Sequence, residues 1–248
     1  MAEGPVAIVT AAGKGIGAAC ARELASHGYR LVLMSVSGGA VKLAEELGCQ
    51  GLTGSVLKPE DLAALVEAAL SRYGRIDAVI NSTVSPSWST TPQQSPYELA
   101  PEGHLLDIPD EEWHRMLDGL LLSAVRMARL VTPAMQRQGT GAILNVSGMG
   151  AALPCVAYPF GATIRRALTG FTKLYAARYG REGIRMNNIL PGFLDNNEWT
   201  PALQANIPMA RPGTLIEVAK AAAFLVGPDS GYVTGQDILV DGGVVRGL

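Results

Sequence analysis

Short apolar runs and longer amphipathic stretches alternate along this chain. Val6 to Thr10 is an apolar run of strand length, followed by the glycine-bearing stretch Ala11 to Gly17 and a helical pattern from Ala18 to His27. Arg30 to Met34 reads as the second strand and Val41 to Leu47 as the next helix. A short third strand precedes a helix from Glu60 to Tyr73, which Gly74 is placed to close. Asp77 to Ile80 reads as the fourth strand. A long helix is predicted from Asp110 to Gln138, with Asp110, Glu111 and Glu112 in the first turn, where the helix dipole favours acids. A strand ending Asn145-Val146-Ser147 and a helix from Gly161 to Tyr179 follow. This order predicts an α/β fold, a doubly wound parallel sheet of about seven strands flanked by helices, as a single domain over residues 1–248. Residues 84–107 break the rhythm. They are rich in Pro, Ser, Thr and Gln without a clear period and read as an irregular insertion at a strand's carboxyl end, near the mouth of the cleft.

Composition narrows the function classes. The chain has 248 residues, 48% hydrophobic and only 17% charged, with a formal net charge of -2. A phosphate backbone needs a concentrated basic surface, so nucleic acid is not expected as a partner. Cys20, Cys49 and Cys155 are scattered and odd in number, which speaks against a disulfide framework. His27, His104 and His114 have no ligand spacing, so no metal site is expected. No apolar run is long enough to span a membrane, and the start of the chain enters a strand within a few residues, so a cytoplasmic protein is expected.

The strand–glycine turn–helix at the start of the chain is the opening of a dinucleotide-binding unit. Small residues let the backbone approach a pyrophosphate, and the helix N-terminus turns free amides and its dipole toward the anion. The candidate binding residues here are Thr10, Lys14, Gly15, Ile16 and Gly17, with Asn81 at the end of the fourth strand and Pro191 in a later Pro-Gly turn. Ala11 stands where a further glycine would serve best, a cost if its φ is positive.

With Asn145-Val146-Ser147, Gly170-Phe171-Thr172-Lys173, Arg185 to Gly192, and Gly231 to Gly243, these motifs resemble the short-chain dehydrogenase/reductase family over essentially the whole chain. The family carries a catalytic Asn, Ser, Tyr and Lys. Aligned without a gap on two anchors, Asn145-Val146-Ser147 and Gly170 to Lys173, the Ser, Tyr and Lys positions fall on Gly148, Gly161 and Arg165, and the Asn position falls on Leu120, after Leu117-Asp118-Gly119. The resemblance also implies an acid or base near Ser35, an Asp at Ser55, a glycine at Val84 and a diphosphate-binding Thr at Asn196, none of which this chain has. In the family the Tyr supplies a proton, and the Lys and the cofactor lower its pKa from about 10. Neither glycine carries a hydroxyl, and arginine stays protonated. On this register, refitting Gly148→Ser, Gly161→Tyr and Arg165→Lys should leave the fold intact.

The resemblance therefore implies a chain without catalytic residues of its own. It is expected to be the non-catalytic subunit of a heteromeric NAD(P)-dependent alcohol or hydroxyacyl dehydrogenase, with an active family member as partner in a tetramer. Two-component members of this kind include a benzylsuccinyl-type hydroxyacyl-CoA dehydrogenase of anaerobic toluene degradation. NAD or NADP would sit in the partner subunit, and Ser35, Ser55 and Val84 speak against a nucleotide held by this chain. Two other readings stand beside it. One is an active oxidoreductase or lyase using Tyr158 and Arg165, which partly resembles the Ser, Tyr and Arg of halohydrin dehalogenases. The other is a nucleotide-sensing binding protein. Ser147, the remaining hydroxyl nearby, should point to the opposite face of its strand.

Overall fold

The computed structural model describes residues 4–83, 105–155, 159–197 and 201–247. Most of the 84–107 insertion, with Val84, Trp88 and Tyr97, and also Tyr158, lies outside the described residues. Seven parallel strands form one sheet in the order β3-β2-β1-β4-β5-β6-β7. They are β1 (Val6–Thr10), β2 (Arg30–Ser35), β3 (Gln50–Thr53), β4 (Ala78–Asn81), β5 (Gly141–Val146), β6 (Ile184–Pro191) and β7 (Asp237–Val240). The order reverses between β1 and β4, and the cleft of such a sheet lies at that point, beyond the strands' carboxyl ends.

Alternation along each strand divides the core into two layers. Ala7 and Val9 of β1 pack toward α1 (Gly15–Ser26), α2 (Gly39–Leu47) and α8 (Leu215–Val226). Val6 and Ile8 pack on the other face, toward α3 (Pro59–Tyr73), α5 (Ser123–Gln138) and α6 (Pro159–Tyr179). Fully enclosed side chains such as Ile8, Leu33 and Ile143 each stabilise the fold by about 1.5–3 kcal/mol. Helices α4 (Asp110–Leu117) and α7 (Pro201–Ala205) complete the set.

Several helices begin earlier than the hydrophobic pattern suggests. α1 starts at Gly15, because the glycines of the phosphate turn are themselves its first turn. α6 starts at Pro159, whose fixed φ and missing N–H suit a first helical position. The stretch 110–138 is not one regular helix. Asp118–Leu122 forms a π turn between α4 and α5. The Gly119 carbonyl in that turn accepts the Ser123 hydroxyl at 2.6 Å and the Thr83 hydroxyl at 3.4 Å. A wide turn of this sort is commonly found at functional sites.

A polar ladder crosses the α6 side of the sheet near the strand ends. Asn81, Asn145, Asn188 and Asp237 are register partners on β4, β5, β6 and β7. Asn81 donates to Asn145 at 2.9 Å, Asn145 to Asn188 at 3.0 Å and Asn188 to Asp237 at 2.7 Å. From α6, Thr172 donates to Asn188 at 2.9 Å and Thr169 to Asp237 at 2.7 Å. Asn145 also reaches Thr172 at 3.4 Å, so the two anchors of the sequence alignment are neighbours in space.

Candidate functional site

The first part of the cleft is the turn between β1 and α1. Gly15 has a φ of +57, a conformation glycine adopts at no steric cost. A Cβ on Gly17 would lie 2.5 Å from the Ala11 carbonyl oxygen, so only glycine fits there. Ala11 itself has a φ of +49 and bears the strain that the sequence raised as a condition. Lys14 precedes the helix in extended conformation, and no side chain caps the N-terminus. The first-turn amides of Gly15, Ile16 and Gly17 are therefore open to an anion, which fits a dinucleotide's diphosphate. The Lys14 side chain is exposed beside them, Ile16 packs partly into the core, and Gly17 is buried.

The adenosine end is built differently. Ser35, at the end of β2, is buried, and its hydroxyl accepts the Ala40 amide at 2.9 Å, capping α2. A Cβ on Gly39 would lie 2.9 Å from the Gly13 Cα, so the two loops touch backbone to backbone. Ser55 uses its hydroxyl to accept the Leu57 amide at 3.2 Å, while Asp61 holds the Ser55 amide at 2.8 Å. The residues present thus fit the phosphates of a nicotinamide dinucleotide and give its adenosine hydroxyls no acidic anchor. Two candidate residues have their side chains engaged in the scaffold. The Thr10 hydroxyl accepts the Ser82 amide at 3.0 Å, and Asn81 belongs to the polar ladder. Pro191 ends β6, buried, and Gly192 after it donates to the Val240 carbonyl at 3.0 Å. Asn196 is exposed.

The four positions aligned with the family's catalytic residues, Leu120, Gly148, Gly161 and Arg165, converge between β5, α6 and the π turn. Leu120 is buried in an apolar cluster with Met116 and Ile164, edged by Trp113 and Phe160. The rings of Trp113 and Phe160 meet edge to face at 4.7 Å. Gly161 is buried on the first turns of α6. A 3-10 turn at Met149–Ala151 lies against it, so close that a Cβ on Gly150 would stand 3.4 Å from the Gly161 carbonyl carbon. Gly148, by contrast, has room. A Cβ built on it meets nothing nearer than the Arg165 side chain at 3.8 Å. A serine side chain at 148 thus finds room.

Arg165 is the one charged group of this set. It is 9% exposed, and its Nη1 donates to the Val146 carbonyl at 3.3 Å. Burial pulls its pKa down to about 10, still far enough above neutrality to keep it charged. Among the described residues no carboxylate pairs with it. The Ser147 hydroxyl, one residue beyond Val146, is enclosed with no hydrogen-bond partner among the described residues. Sequence reading missed the Gly150–Gly161 contact and the π turn. Their signals were the repeated glycine in Gly148-Met149-Gly150 and the lone Gly119 within a helical pattern.

Among the described residues no cluster of His, Cys, Asp and Glu could hold a metal, and no helix is long and apolar enough to cross a membrane. Cys20 and Cys49 are free thiols, and burial raises that of Cys20 to about 12.

The family model described as enoyl-(acyl carrier protein) reductase matches residues 10–245. A 3-oxoacyl-[acyl-carrier-protein] reductase from Vibrio cholerae is 29% identical, with 98% of each chain covered. A short-chain reductase from Streptomyces niveus is 30% identical, covering 96% of this chain and 93% of its own. Among solved structures, the L-sorbose reductase of Gluconobacter frateurii complexed with NADPH and L-sorbose superposes with a TM-score of 0.83 at 28% identity, covering 99% of this chain and 98% of its own.

Proposed function

This chain belongs to the short-chain dehydrogenase/reductase family, and we propose that it serves there as a subunit without proton-transfer chemistry of its own, supporting an active family member in a hetero-oligomer. The observation that carries the reading is the geometry of the catalytic set. Where a substrate oxygen would need a hydroxyl donor and a general acid, the chain offers Gly148 and an enclosed Gly161. Leu120 fills the fourth position with packed apolar surface. Loss of a general acid alone lowers rates by about 10²–10⁴.

Two apolar surfaces support a role in assembly. Leu174 on α6 is 73% exposed, beside a groove lined by Val125, Pro133 and Phe171. Phe224 and Ile216 on α8 and Leu239 on β7 expose a second set. The alcohol or hydroxyacyl substrate would then be handled by the partner. The nicotinamide, when bound in a family member, supplies or accepts the hydride. In this chain the first-turn amides of α1 would hold the diphosphate, with Lys14 beside it. Arg165 would fix the charge of the cleft without giving up a proton.

The comparisons favour a second reading. The relatives are named as reductases and match along nearly the whole chain, which supports an oxidoreductase active by itself. That enzyme would draw on Arg165 and on Tyr158. One preparation separates the two readings. The tagged chain is purified from its own cells, weighed by native mass spectrometry and assayed for oxidation of NADPH and NADH with a panel of carbonyl substrates. A mixed complex whose activity disappears when the partner is removed supports the subunit reading. A homo-oligomer that turns over, and loses turnover in Tyr158→Phe, sinks it and establishes the second.

A further inference from the structure

We propose that the end of the chain is a latch. Val244, seated in one cluster with Ile207 and Phe193, holds the turn at Ile207–Ala210 beyond the carboxyl ends of β6 and β7, and its release opens that side of the cleft while the sheet stays folded. Two large apolar clusters fill the two faces of the sheet. A third, apart from both, joins Phe193, Ile207 and Val244, with Met149 and Leu153 packed against it. Its members come from the loop after β5, from both ends of the stretch between β6 and α8, and from the residues after β7. Each side of the contact offers a single buried side chain. Ile207 is the one buried residue between Ala205 and Arg211, and Val244, 1% exposed, is the one buried residue between Asp241 and Gly247.

The backbone is shaped for this contact. Gly242 and Gly243 have φ of +65 and +87, a region glycine enters without strain. The Asp241 carboxylate accepts the amides of Gly243 at 2.9 Å and Val245 at 2.8 Å, which fixes the turn that presents Val244. The Gly242 carbonyl accepts the Met209 amide at 3.2 Å. A Cβ on Gly242 would stand 2.9 Å from the Ile207 side chain, and one on Gly243 3.2 Å from Pro208, so the two turns meet closely with glycine on one side. The neck of the stretch is tied separately: the Gly213 amide donates to the Phe193 carbonyl and the Asp195 amide to the Gly213 carbonyl, each at 2.9 Å. The stretch is thus closed at its neck, and a small satellite cluster holds its far turn to the end of the chain. Regions with few buried apolar contacts open at free energies below that of global unfolding, and the moving parts of binding clefts are drawn from them. The same cluster packs on Met149 and Leu153, and the Met149–Ala151 turn lies against Gly161. The latch therefore acts on the side of the cleft where the aligned catalytic positions sit, and it works whether or not the chain turns over.

The test is amide hydrogen exchange of the full chain, read by mass spectrometry of its peptides. Val244→Ala removes two buried carbons, and exchange at Met209 and Ala210 should speed up by at least about tenfold. The 149–153 turn should speed up with it, while β5 and β6 exchange as in the wild type. Ile207→Ala attacks the latch from the other side. It should speed exchange at the amides of Gly243 and Val245, because two groups that stabilise each other loosen together. Either variant leaving the opposite side of the contact unchanged would overturn the latch. Acceleration of β5 and β6 by the same factor would overturn it as well, since the cluster would then open only with the whole fold.

Discussion

Two neighbouring levels at the carboxyl end of the sheet are built on opposite principles. The lower one is the ladder from Asn81 through Asn145 and Asn188 to Asp237, joined from above by Thr172 and Thr169. These are buried polar groups, and each finds a partner. The upper one begins only three residues further along the same strand, with Gly148, and one turn up the same helix, with Arg165 and Gly161. There, among the described residues, no carboxylate pairs with the buried Arg165 and the Ser147 hydroxyl has no partner. The difference separates two reasons for having polar side chains near a cleft. The ladder holds strands in register and α6 in place, so an unmade bond there costs folding energy. The upper level is tied down more lightly, by the Arg165 bond to the Val146 carbonyl and the apolar cluster around Leu120.

That contrast makes the largest expected effect a structural one. Asn188→Leu removes the middle of the ladder and leaves Asn145, Thr172 and Asp237 short of partners. Urea denaturation at neutral pH should show a loss of about 3 kcal/mol or more. A loss under 1 kcal/mol would mean that the ladder is as dispensable as the level above it.

The second effect lies within the upper level. Gly161→Tyr places a large side chain on an enclosed backbone position and should cost about 1–3 kcal/mol by overpacking. Gly148→Ser has room for its side chain and should change stability by less than about 0.5 kcal/mol. Equal costs at the two sites would contradict the closure of the Gly150 turn on α6. The smallest effect is at the nucleotide turn. Ala11→Gly relieves a left-handed alanine, worth roughly 1–2 kcal/mol, against about 0.4–1 kcal/mol of added freedom in the unfolded chain, for a net gain of about 0.5 kcal/mol. A destabilised variant would show that the alanine methyl packs favourably enough to outweigh its strained backbone.

Much of the fold was legible because it rests on local patterns. The strand–glycine turn–helix at Val6 to His27, the apolar runs of β2 and β4 and the Gly74 cap of α3 each follow from neighbouring residues. Helix starts were read late at α1 and α6. A first turn is specified by which backbone amides stay free, and apolar spacing carries no trace of that. The candidate site was read as a set of absences, with two glycines, a leucine and an arginine at aligned positions. What these residues do instead was not legible. The apolar cluster around Leu120 joins the 110–122 stretch to α6, and no window of sequence contains both. Thr10 and Asn81 were read as cofactor residues from their places at strand ends, while their side chains hold Ser82 and Asn145.

By itself, the sequence determined the α/β fold and the helix N-terminus suited to phosphate, because identity and short-range spacing suffice for each. Only the tertiary structure decided that Gly161 is buried while a Cβ at Gly148 finds room, that Ala11 is strained and that no carboxylate among the described residues pairs with the buried Arg165. These are statements about distance and solvent. They arise when segments far apart in the chain pack together, as β5 and α6 do here, and what each side chain then meets is set by its neighbours in space.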